Sequence, residues 1–87
     1  MTDTSTEPAV TIRDWLIERV AFYIEQPAER VDPDTPLLEM GLDSVYALTI
    51  CGDVEERFGL IVEPTLPWDH PTVNAMAAHL AKELTAR

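Results

Sequence analysis

The chain has 87 residues, of which 46% are hydrophobic, so it is long enough for one compact globular domain. Its formal net charge is −10, with 16 acidic residues against 6 lysines and arginines, and this disfavours nucleic acid and anionic membranes, which need a basic surface. The charge would speed encounter with basic partners, but it would equally keep a small protein soluble, so it does not decide between these roles.

The N-terminal segment is polar and acidic and contains no apolar run. It predicts neither a signal peptide nor a membrane anchor, so we expect a cytoplasmic protein. We also expect the protein to be a monomer. Residues 1–9 are predicted to form a disordered tail and residues 10–87 the folded domain. The polar start Met1-Thr2-Asp3 favours a free-standing protein over a domain excised from a larger one.

The first helix is predicted over residues 11–25. Thr11 and Asp14 fit a capping pair at its start, and Pro27 prevents further extension. Apolar residues recur between these limits with the spacing of one helical face. They are Ile12, Trp15, Leu16, Val20, Tyr23 and Ile24.

Residues 26–42 contain three prolines and are predicted to form a long loop. Three of its residues are too apolar for a purely solvated connection, namely Leu37, Leu38 and Met40. We therefore expect an ordered loop that packs onto the bundle. At its end Gly41 permits a sharp turn, and Asp43 is suited to cap the helix that follows.

That second helix is predicted to end at Gly59, because glycine readily takes the left-handed conformation that follows a helix. Its predicted apolar face consists of Val45, Ala47, Leu48, Cys51, Val54 and Phe58. We interpret Cys51 as a buried structural thiol, and a single cysteine excludes an internal disulfide or a cysteine-based metal cluster.

The C-terminal third predicts a buried loop over residues 60–62, since no second strand candidate exists to pair with it. A short helix follows around residues 65–69, and Thr72 is suited to cap a last helix. The apolar face of that helix is Val73, Met76, Ala77, Leu80 and Leu84. The predicted fold class is therefore all-α, a four-helix bundle of three longer helices and one short helix.

Other polar and aromatic residues are interpreted as structural. His70 and His79 lack acids or cysteines placed to complete a metal site, and His70 is expected to hydrogen-bond at the turn before the last helix. Trp15 and Trp68 are interpreted as core or half-buried aromatics. Tyr46 faces a cargo, a partner or only solvent, and the sequence leaves these alternatives open.

Ser44 is the residue on which the functional hypothesis depends. It follows the N-cap candidate Asp43 and opens the second helix, so an anionic group on its Oγ would lie beside unpaired backbone N–H groups and the positive end of the helix dipole. No histidine, lysine or second acid accompanies it at a useful spacing, so it does not fit a self-activated nucleophile. Taken alone, however, Asp-Ser is an ordinary helix start.

Four segments with maintained spacing extend this pattern along the chain. They are Val31-Asp32-Pro33-Asp34-Thr35-Pro36-Leu37, Gly41-Leu42-Asp43-Ser44-Val45, Phe58-Gly59-Leu60 and Pro64-Thr65-Leu66-Pro67-Trp68-Asp69-His70-Pro71-Thr72. In these segments the chain resembles the acyl carrier domains of polyketide synthases, over residues 11–85. Such a composite is far more specific than the Asp-Ser dipeptide.

The resemblance implies an acyl carrier protein that is not an enzyme. A phosphopantetheinyl transferase would use coenzyme A and Mg²⁺ to place 4'-phosphopantetheine on Ser44, and the arm would carry acyl groups to a ketosynthase, an acyltransferase or other pathway enzymes. The implied attachment turn consists of Gly41, Leu42, Asp43 and Ser44. The implied docking residues are Val45, Glu55 and Glu56, together with Asp43.

Three alternatives stand beside this interpretation. A peptidyl carrier of a nonribosomal peptide synthetase is disfavoured, because such carriers usually have a second glycine where this chain has Leu42 and lack the Asp69-His70-Pro71-Thr72 run. A helical docking module without a prosthetic group is the second alternative. A small enzyme is the third, but the sequence offers no catalytic constellation for it. The sequence does not identify the acyl cargo.

Overall fold

The computed structural model describes residues 8–85, with side chains from residue 11 onward. Its four α-helices are α1 (Pro8–Ile24), α2 (Ser44–Phe58), α3 (Leu66–Asp69) and α4 (Val73–Thr85). The first loop, residues 25–43, contains two short 3-10 helices, Ala28–Arg30 and Leu37–Met40, and the second loop covers residues 59–65. No strand occurs between residues 8 and 85, and the predicted bundle of three longer helices and one short helix is confirmed.

Helix α1 begins earlier than predicted. Pro8 is its first residue, and proline is favoured there because its missing N–H would have no acceptor within the helix. Thr11 is the fourth helical residue, so the prediction that it caps this helix is wrong. The predicted tail therefore overlaps α1 at residues 8 and 9, and its remaining residues lie outside the part that the structure describes.

The end of α1 lies at Ile24, one residue before the predicted end. Glu25 adopts a left-handed conformation with φ 59°, which stops the helix. The Gln26 N–H donates to the Ala21 carbonyl at 3.0 Å, and the Glu25 N–H donates to the Phe22 carbonyl at 3.3 Å. These bonds satisfy carbonyls that the helix would otherwise leave without partners.

One aliphatic core joins the four helices and both loops. Helix α1 packs chiefly against α4, while the other helices and loops close the remaining sides. Each large side chain that is fully buried contributes about 1.5–3 kcal/mol through removal of apolar surface from water. The largest of these are Ile12, Leu16, Leu42, Ile50, Met76, Leu80, Val20, Val54 and Val73.

Helix α2 is rotated relative to the face predicted for it. Val45 is 66% exposed and Leu48 is 48% exposed, so their predicted positions in the core are wrong. The buried residues instead follow the i, i+3, i+4, i+7 spacing of a helix that contacts the bundle on one side. They are Ala47, Ile50, Cys51 and Val54, which confirms the buried thiol and adds Ile50.

The first loop is ordered, as predicted, and it is bonded to the junction between α3 and α4. The Leu37 N–H donates to the Pro71 carbonyl at 2.9 Å, and the Asn74 N–H donates to the Pro33 carbonyl at 3.0 Å. The Asn74 side chain also donates to Asp34 Oδ1 at 2.7 Å. Leu37 is buried, but the predicted anchoring role of Leu38 is wrong, because its side chain is 58% exposed.

The second loop is only partly buried. Leu60 lies in the core, whereas Ile61 is 90% exposed, so the prediction of a buried loop is wrong at that residue. Thr72 caps α4 as predicted, accepting a hydrogen bond at its Oγ1 from the Ala75 N–H at 3.1 Å. Trp68 on α3 is 47% exposed, more than a core aromatic would be.

The two histidines contact each other across the junction of α3 and α4. Their rings stack with centroids 4.3 Å apart, and at the turn before α4 the backbone N–H of His70 donates to the Leu66 carbonyl at 2.9 Å. Stacked rings direct their in-plane lone pairs side by side rather than toward a common point, so His70 and His79 do not converge on a metal ion. Over residues 8–85 no helix combines the length and apolar character needed to cross a membrane.

Candidate functional site

A left-handed turn at Gly41 leads the chain into α2. Gly41 has φ 96° and ψ 7°, and its N–H donates to the Leu38 carbonyl at 3.3 Å. The Leu42 N–H donates to the Leu37 carbonyl at 3.2 Å, which closes the preceding 3-10 helix. A Cβ added at Gly41 would meet no heavy atom within 4 Å. Glycine is therefore required here for its backbone conformation, not for space.

Leu42 anchors this turn to the core. Its side chain is 0% exposed, although it stands between two exposed residues, Gly41 and Asp43. A side chain buried in this way does not touch a group attached outside the bundle. Leu42 thus fixes the turn to the core. The sequence analysis included Leu42 in the implied attachment turn but did not predict this anchoring role.

Asp43 caps α2, as predicted. It has an extended backbone, with φ −82° and ψ 178°, and its Oδ1 accepts a hydrogen bond from the Tyr46 N–H at 3.0 Å. Its carbonyl accepts from the Ala47 N–H at 2.9 Å. An N-cap of this kind stabilises a helix by about 1 kcal/mol. The start of α2 is consequently fixed at Ser44.

Ser44 is the first residue of α2 and is exposed. A helix leaves its first N–H groups without intrahelical acceptors and has a partial positive charge at this end, so the position fits a serine phosphodiester. Among residues 11–85, no histidine, lysine or carboxylate hydrogen-bonds the Ser44 hydroxyl. The site therefore presents an accessible oxygen without a base to activate it.

An exposed apolar surface lies next to this serine on α2. Val45 follows Ser44 directly, and Leu48 lies one helical turn after it. The family resemblance named Val45 as a docking residue, although the predicted apolar face of the helix included both Val45 and Leu48. The signal that could have found Leu48 is its i+4 spacing from Ser44, because residues four apart lie on the same helix face.

The two predicted acidic docking residues have different environments. Glu56 is exposed, whereas Glu55 is half-buried and its Oε2 accepts a hydrogen bond from the Val62 N–H at 3.3 Å. The Glu55 carboxylate thereby holds the second loop against α2. Of the pair, only Glu56 has a side chain that is exposed to solvent.

Tyr46 contacts α1 rather than only solvent. Its ring stacks on that of Tyr23, with centroids 5.2 Å apart and an interplanar angle of 26°. No pattern in the sequence indicates this contact, because the two tyrosines lie on different helices.

The single cysteine of the chain is buried and is a poor nucleophile. Cys51 is buried on the inner face of α2, and burial raises its pKa above the usual 9.0, with the Glu55 carboxylate adding to the effect. Because the thiolate is the nucleophilic form, a raised pKa leaves the Cys51 sulfur unreactive near neutral pH.

Known proteins share both the sequence and the fold of this chain. The family model described as "Phosphopantetheine attachment site" matches residues 14–80. A phenolphthiocerol/phthiocerol polyketide synthase from Mycobacterium tuberculosis is 40% identical over 70 residues, which cover 80% of this chain and 4% of that protein. The chain thus spans only a small part of the length of such curated relatives.

Two solved structures are similar over nearly their whole length. A free-standing peptidyl carrier protein from Acinetobacter baumannii has a TM-score of 0.86 and 38% identity, over 90% of this chain and 98% of that one. The acyl carrier protein LipD from Actinoplanes friuliensis has a TM-score of 0.75 and 41% identity, over 100% of this chain and 98% of that one. Both similarities confirm the predicted carrier-type helical bundle.

The sequence match, the fold and the exposed serine at a capped helix start agree with one another. The domain is a non-catalytic carrier whose prosthetic group is phosphopantetheine, and it is similar to the carrier domains of polyketide synthases. The chain belongs to the phosphopantetheine-attachment family of carrier proteins.

Proposed function

We propose that Ser44 bears the 4'-phosphopantetheine arm and that the domain carries acyl intermediates of a polyketide-type assembly. The observation that supports this most directly is the exposed Ser44 hydroxyl at the start of α2, immediately after the Asp43 cap. An anionic phosphodiester at this point gains from the helix dipole without needing a basic side chain.

The arm, once attached, supplies a thiol that holds acyl groups as thioesters. The chain itself orients and exposes the Ser44 oxygen, and the capped first turn keeps unpaired N–H groups beside the phosphodiester. Proton removal from Ser44 falls to a phosphopantetheinyl transferase acting with coenzyme A and Mg²⁺, because the described residues provide no base at that oxygen.

Docking is proposed to use the exposed part of α2, through Val45, Leu48 and Glu56. Partners with an apolar contact surface rimmed by basic residues fit this combination, since the chain carries a net charge of −10. The transferase, a ketosynthase and an acyltransferase are the proposed partners, and the cytoplasm is the proposed location. The proposed carrier unit is the bundle that begins with α1.

Intact-mass spectrometry tests the attachment residue. The protein is incubated with coenzyme A, Mg²⁺ and a broad-specificity transferase, and we expect the mass to increase by one phosphopantetheine. The chain has two serines, so Ser5→Ala serves as the matched control for Ser44→Ala. The gain should persist in Ser5→Ala and vanish in Ser44→Ala. A folded wild-type protein that gains no mass contradicts the proposal.

A peptidyl carrier is the second candidate. It is supported by the similarity to the free-standing peptidyl carrier of Acinetobacter baumannii, which extends over 90% of this chain. The modified protein can be offered an acyltransferase with a malonyl-type extender and, separately, an amino acid with an adenylation domain. Thioester formation only in the second reaction would replace the polyketide assignment with the peptidyl one.

A further inference from the structure

Two aromatic pairs join α1 to α2, one at each end of the seam between these helices. Tyr23 and Tyr46 stack at the end where α2 begins, beside Ser44. Trp15 and Phe58 meet edge to face at the opposite end, with centroids 5.1 Å apart. Both pairs stabilise the fold through an aromatic contact of similar energy, but only one of them lies beside Ser44. Substitutions in the two pairs therefore distinguish an effect on Ser44 from a general loss of stability.

Tyr46 is fixed at two points. Its backbone N–H donates to Asp43 Oδ1 at 3.0 Å, and its ring stacks on Tyr23 with centroids 5.2 Å apart. The hydrogen bond to Asp43 is part of the cap that begins α2, whereas the stack on Tyr23 is a contact with α1. Tyr46 therefore connects the turn that carries Ser44 to α1.

Tyr23 offers a fixed surface for this contact. Its hydroxyl donates to Asp53 Oδ2 on α2 at 2.5 Å, and the Arg19 guanidinium lies 5.3 Å from its ring centroid. Arg19 also lies 3.8 Å from Asp53 Oδ2. Groups of both helices thus hold the Tyr23 ring independently of Tyr46. A stack on a fixed ring restrains Tyr46 more than a stack on a mobile one.

The geometry of α2 makes this restraint useful to Ser44. Residues two apart on an α-helix point roughly 200° away from each other, so the Tyr46 ring and the Ser44 hydroxyl lie on opposite sides of the first turn. The contact with Tyr23 therefore holds the turn from behind and leaves Ser44 exposed. First turns of helices tend to fray, and a side chain attached to a neighbouring helix opposes that fraying.

We infer that Tyr46 is a positioning residue, which through its stack on Tyr23 holds the capped first turn of α2 in the orientation that a transferase requires at Ser44. This inference rests on the proposed attachment at Ser44. It assigns to Tyr46 an action on the backbone of its own helix turn, not a contact with the transferase or with cargo. The Tyr46 ring is the added element, since the hydrogen bonds of the Asp43 cap lie within the start of α2 and do not themselves reach α1.

Modification kinetics provide the first test. Rates of phosphopantetheine transfer from coenzyme A are measured across a range of domain concentrations for wild type, Tyr46→Ala, Tyr46→Phe, Tyr23→Ala and Trp15→Leu. We expect kcat/KM to fall about 2- to 12-fold in Tyr46→Ala and in Tyr23→Ala, the size of one aromatic pair expressed as a rate ratio. Tyr46→Phe, which retains the ring, should restore the wild-type rate. Trp15→Leu should match the wild type while still lowering stability.

Amide hydrogen exchange provides a readout that does not depend on the transferase. The Tyr46 and Ala47 amides bond to Asp43 and report on the first turn. Relative to global unfolding, they should exchange faster in Tyr23→Ala than in Trp15→Leu. If Tyr46→Ala does not fold, the exchange comparison uses Tyr23→Phe and Tyr23→Ala instead. Tyr23→Phe preserves the ring stack and loses only the hydrogen bond to Asp53. Its first-turn exchange should stay closer to that of the wild type than the exchange of Tyr23→Ala does.

Three results would overturn the inference. Equal slowing in Trp15→Leu would make the effect one of stability, and an unchanged rate in Tyr23→Ala with slowing in Tyr46→Ala would make Tyr46 a direct contact of the transferase. Unchanged exchange at the first-turn amides in Tyr23→Ala would show that the stack on Tyr23 does not restrain the first turn of α2. Failure of the wild type to be modified would instead contradict the attachment at Ser44, and the exchange measurement would still decide the role of Tyr46.

Discussion

The two loops that flank α2 are held in different ways. The first loop, which leads to Ser44, hydrogen-bonds to Pro71 and Asn74 at the start of α4. The second loop, which leaves α2, is bonded back to α2 itself through the Glu55 carboxylate. The loop that leads into α2 is therefore hydrogen-bonded to a distant C-terminal part of the chain, while the loop that follows α2 is hydrogen-bonded to α2 itself.

This difference suits a carrier domain. The proposed attachment at Ser44 benefits from a helix start that is fixed by the core, and the buried Leu42 supplies that fixation directly before the cap. The second loop can instead expose Ile61 almost completely without affecting where α2 starts. Each of the following substitutions tests one side of this contrast.

The largest expected effect comes from truncating the buried anchor of the first loop. Leu42→Ala should lower the free energy of unfolding by about 2–5 kcal/mol, because it removes buried methyl groups and leaves a cavity. Ile61→Ala is the matched control in the second loop, and it should change stability by less than about 0.5 kcal/mol, because that side chain is 90% exposed. Urea unfolding followed by circular dichroism measures both, and similar losses in the two variants would contradict the contrast.

Removal of the cap should have a smaller effect that is concentrated at the serine. Asp43→Ala should cost about 1 kcal/mol, because the Tyr46 N–H loses its acceptor. In a domain of this size that corresponds to a fall in Tm of about 4–8 °C.

Asp43→Asn is the control for this substitution, since asparagine also accepts a hydrogen bond at an N-cap but carries no charge. It should retain most of the stability that Asp43→Ala loses. An equal loss in both variants would show that the charge of Asp43, and not its hydrogen bond, stabilises the start of α2.

Much of this architecture could be predicted from local sequence signals. Asp43, Gly59 and Thr72 act at helix ends because short side-chain and backbone interactions decide those positions, and these interactions involve residues close in sequence. The start of α1 was missed because a proline in a polar segment resembles the end of a tail as much as the first residue of a helix.

The environment of individual residues on α2 was harder to predict. Its helical period was clear, but which side faces the core depends on the directions of neighbouring helices, and this reversed the expected burial of Leu48. The stack of Tyr46 on Tyr23 and the bond from Val62 to Glu55 join residues distant in sequence or in separate elements. Periodicity carries no information about such contacts.

The adjacent glutamates should separate loop attachment from docking. Glu55→Ala should cost about 0.5–1.5 kcal/mol, because the Val62 N–H loses its acceptor. Glu56→Ala should change the unfolding free energy by less than about 0.5 kcal/mol, because its side chain is exposed.

Charge reversal completes this comparison. Glu56→Lys should slow transferase modification at low ionic strength and approach the wild-type rate as salt screens the partner's charge. A salt-independent rate for Glu56→Lys, equal to that of the wild type, would remove Glu56 from the docking surface. An unchanged free energy of unfolding in Glu55→Ala would show that the second loop does not depend on its hydrogen bond to α2.

The smallest expected effect is a pH dependence at the contact between Cys51 and the second loop. The Cys51 thiol is directed at the Glu63 carbonyl, with 3.9 Å between sulfur and oxygen. Burial, and then the Glu55 carboxylate, raise the pKa of Cys51 above 9.0, so the folded protein holds this proton more tightly than the unfolded chain does. The resulting stabilisation is complete below pH 9.0, the pKa of the unfolded thiol, and is lost as the pH rises through the folded pKa.

Comparison of the wild type with Cys51→Ala isolates this contribution. Urea midpoints of both proteins are measured from about pH 7 to about pH 10.5, and the advantage of the wild type should narrow only above pH 9.0, where the unfolded thiol ionises. Burial and the Asp53 hydrogen bond also raise the pKa of Tyr23 above 10.0, but that residue is present in both proteins, so its effect cancels in the difference. A constant difference across the whole range would mean that Cys51 stabilises the second loop by packing alone and that its proton has no part in holding the loop to α2.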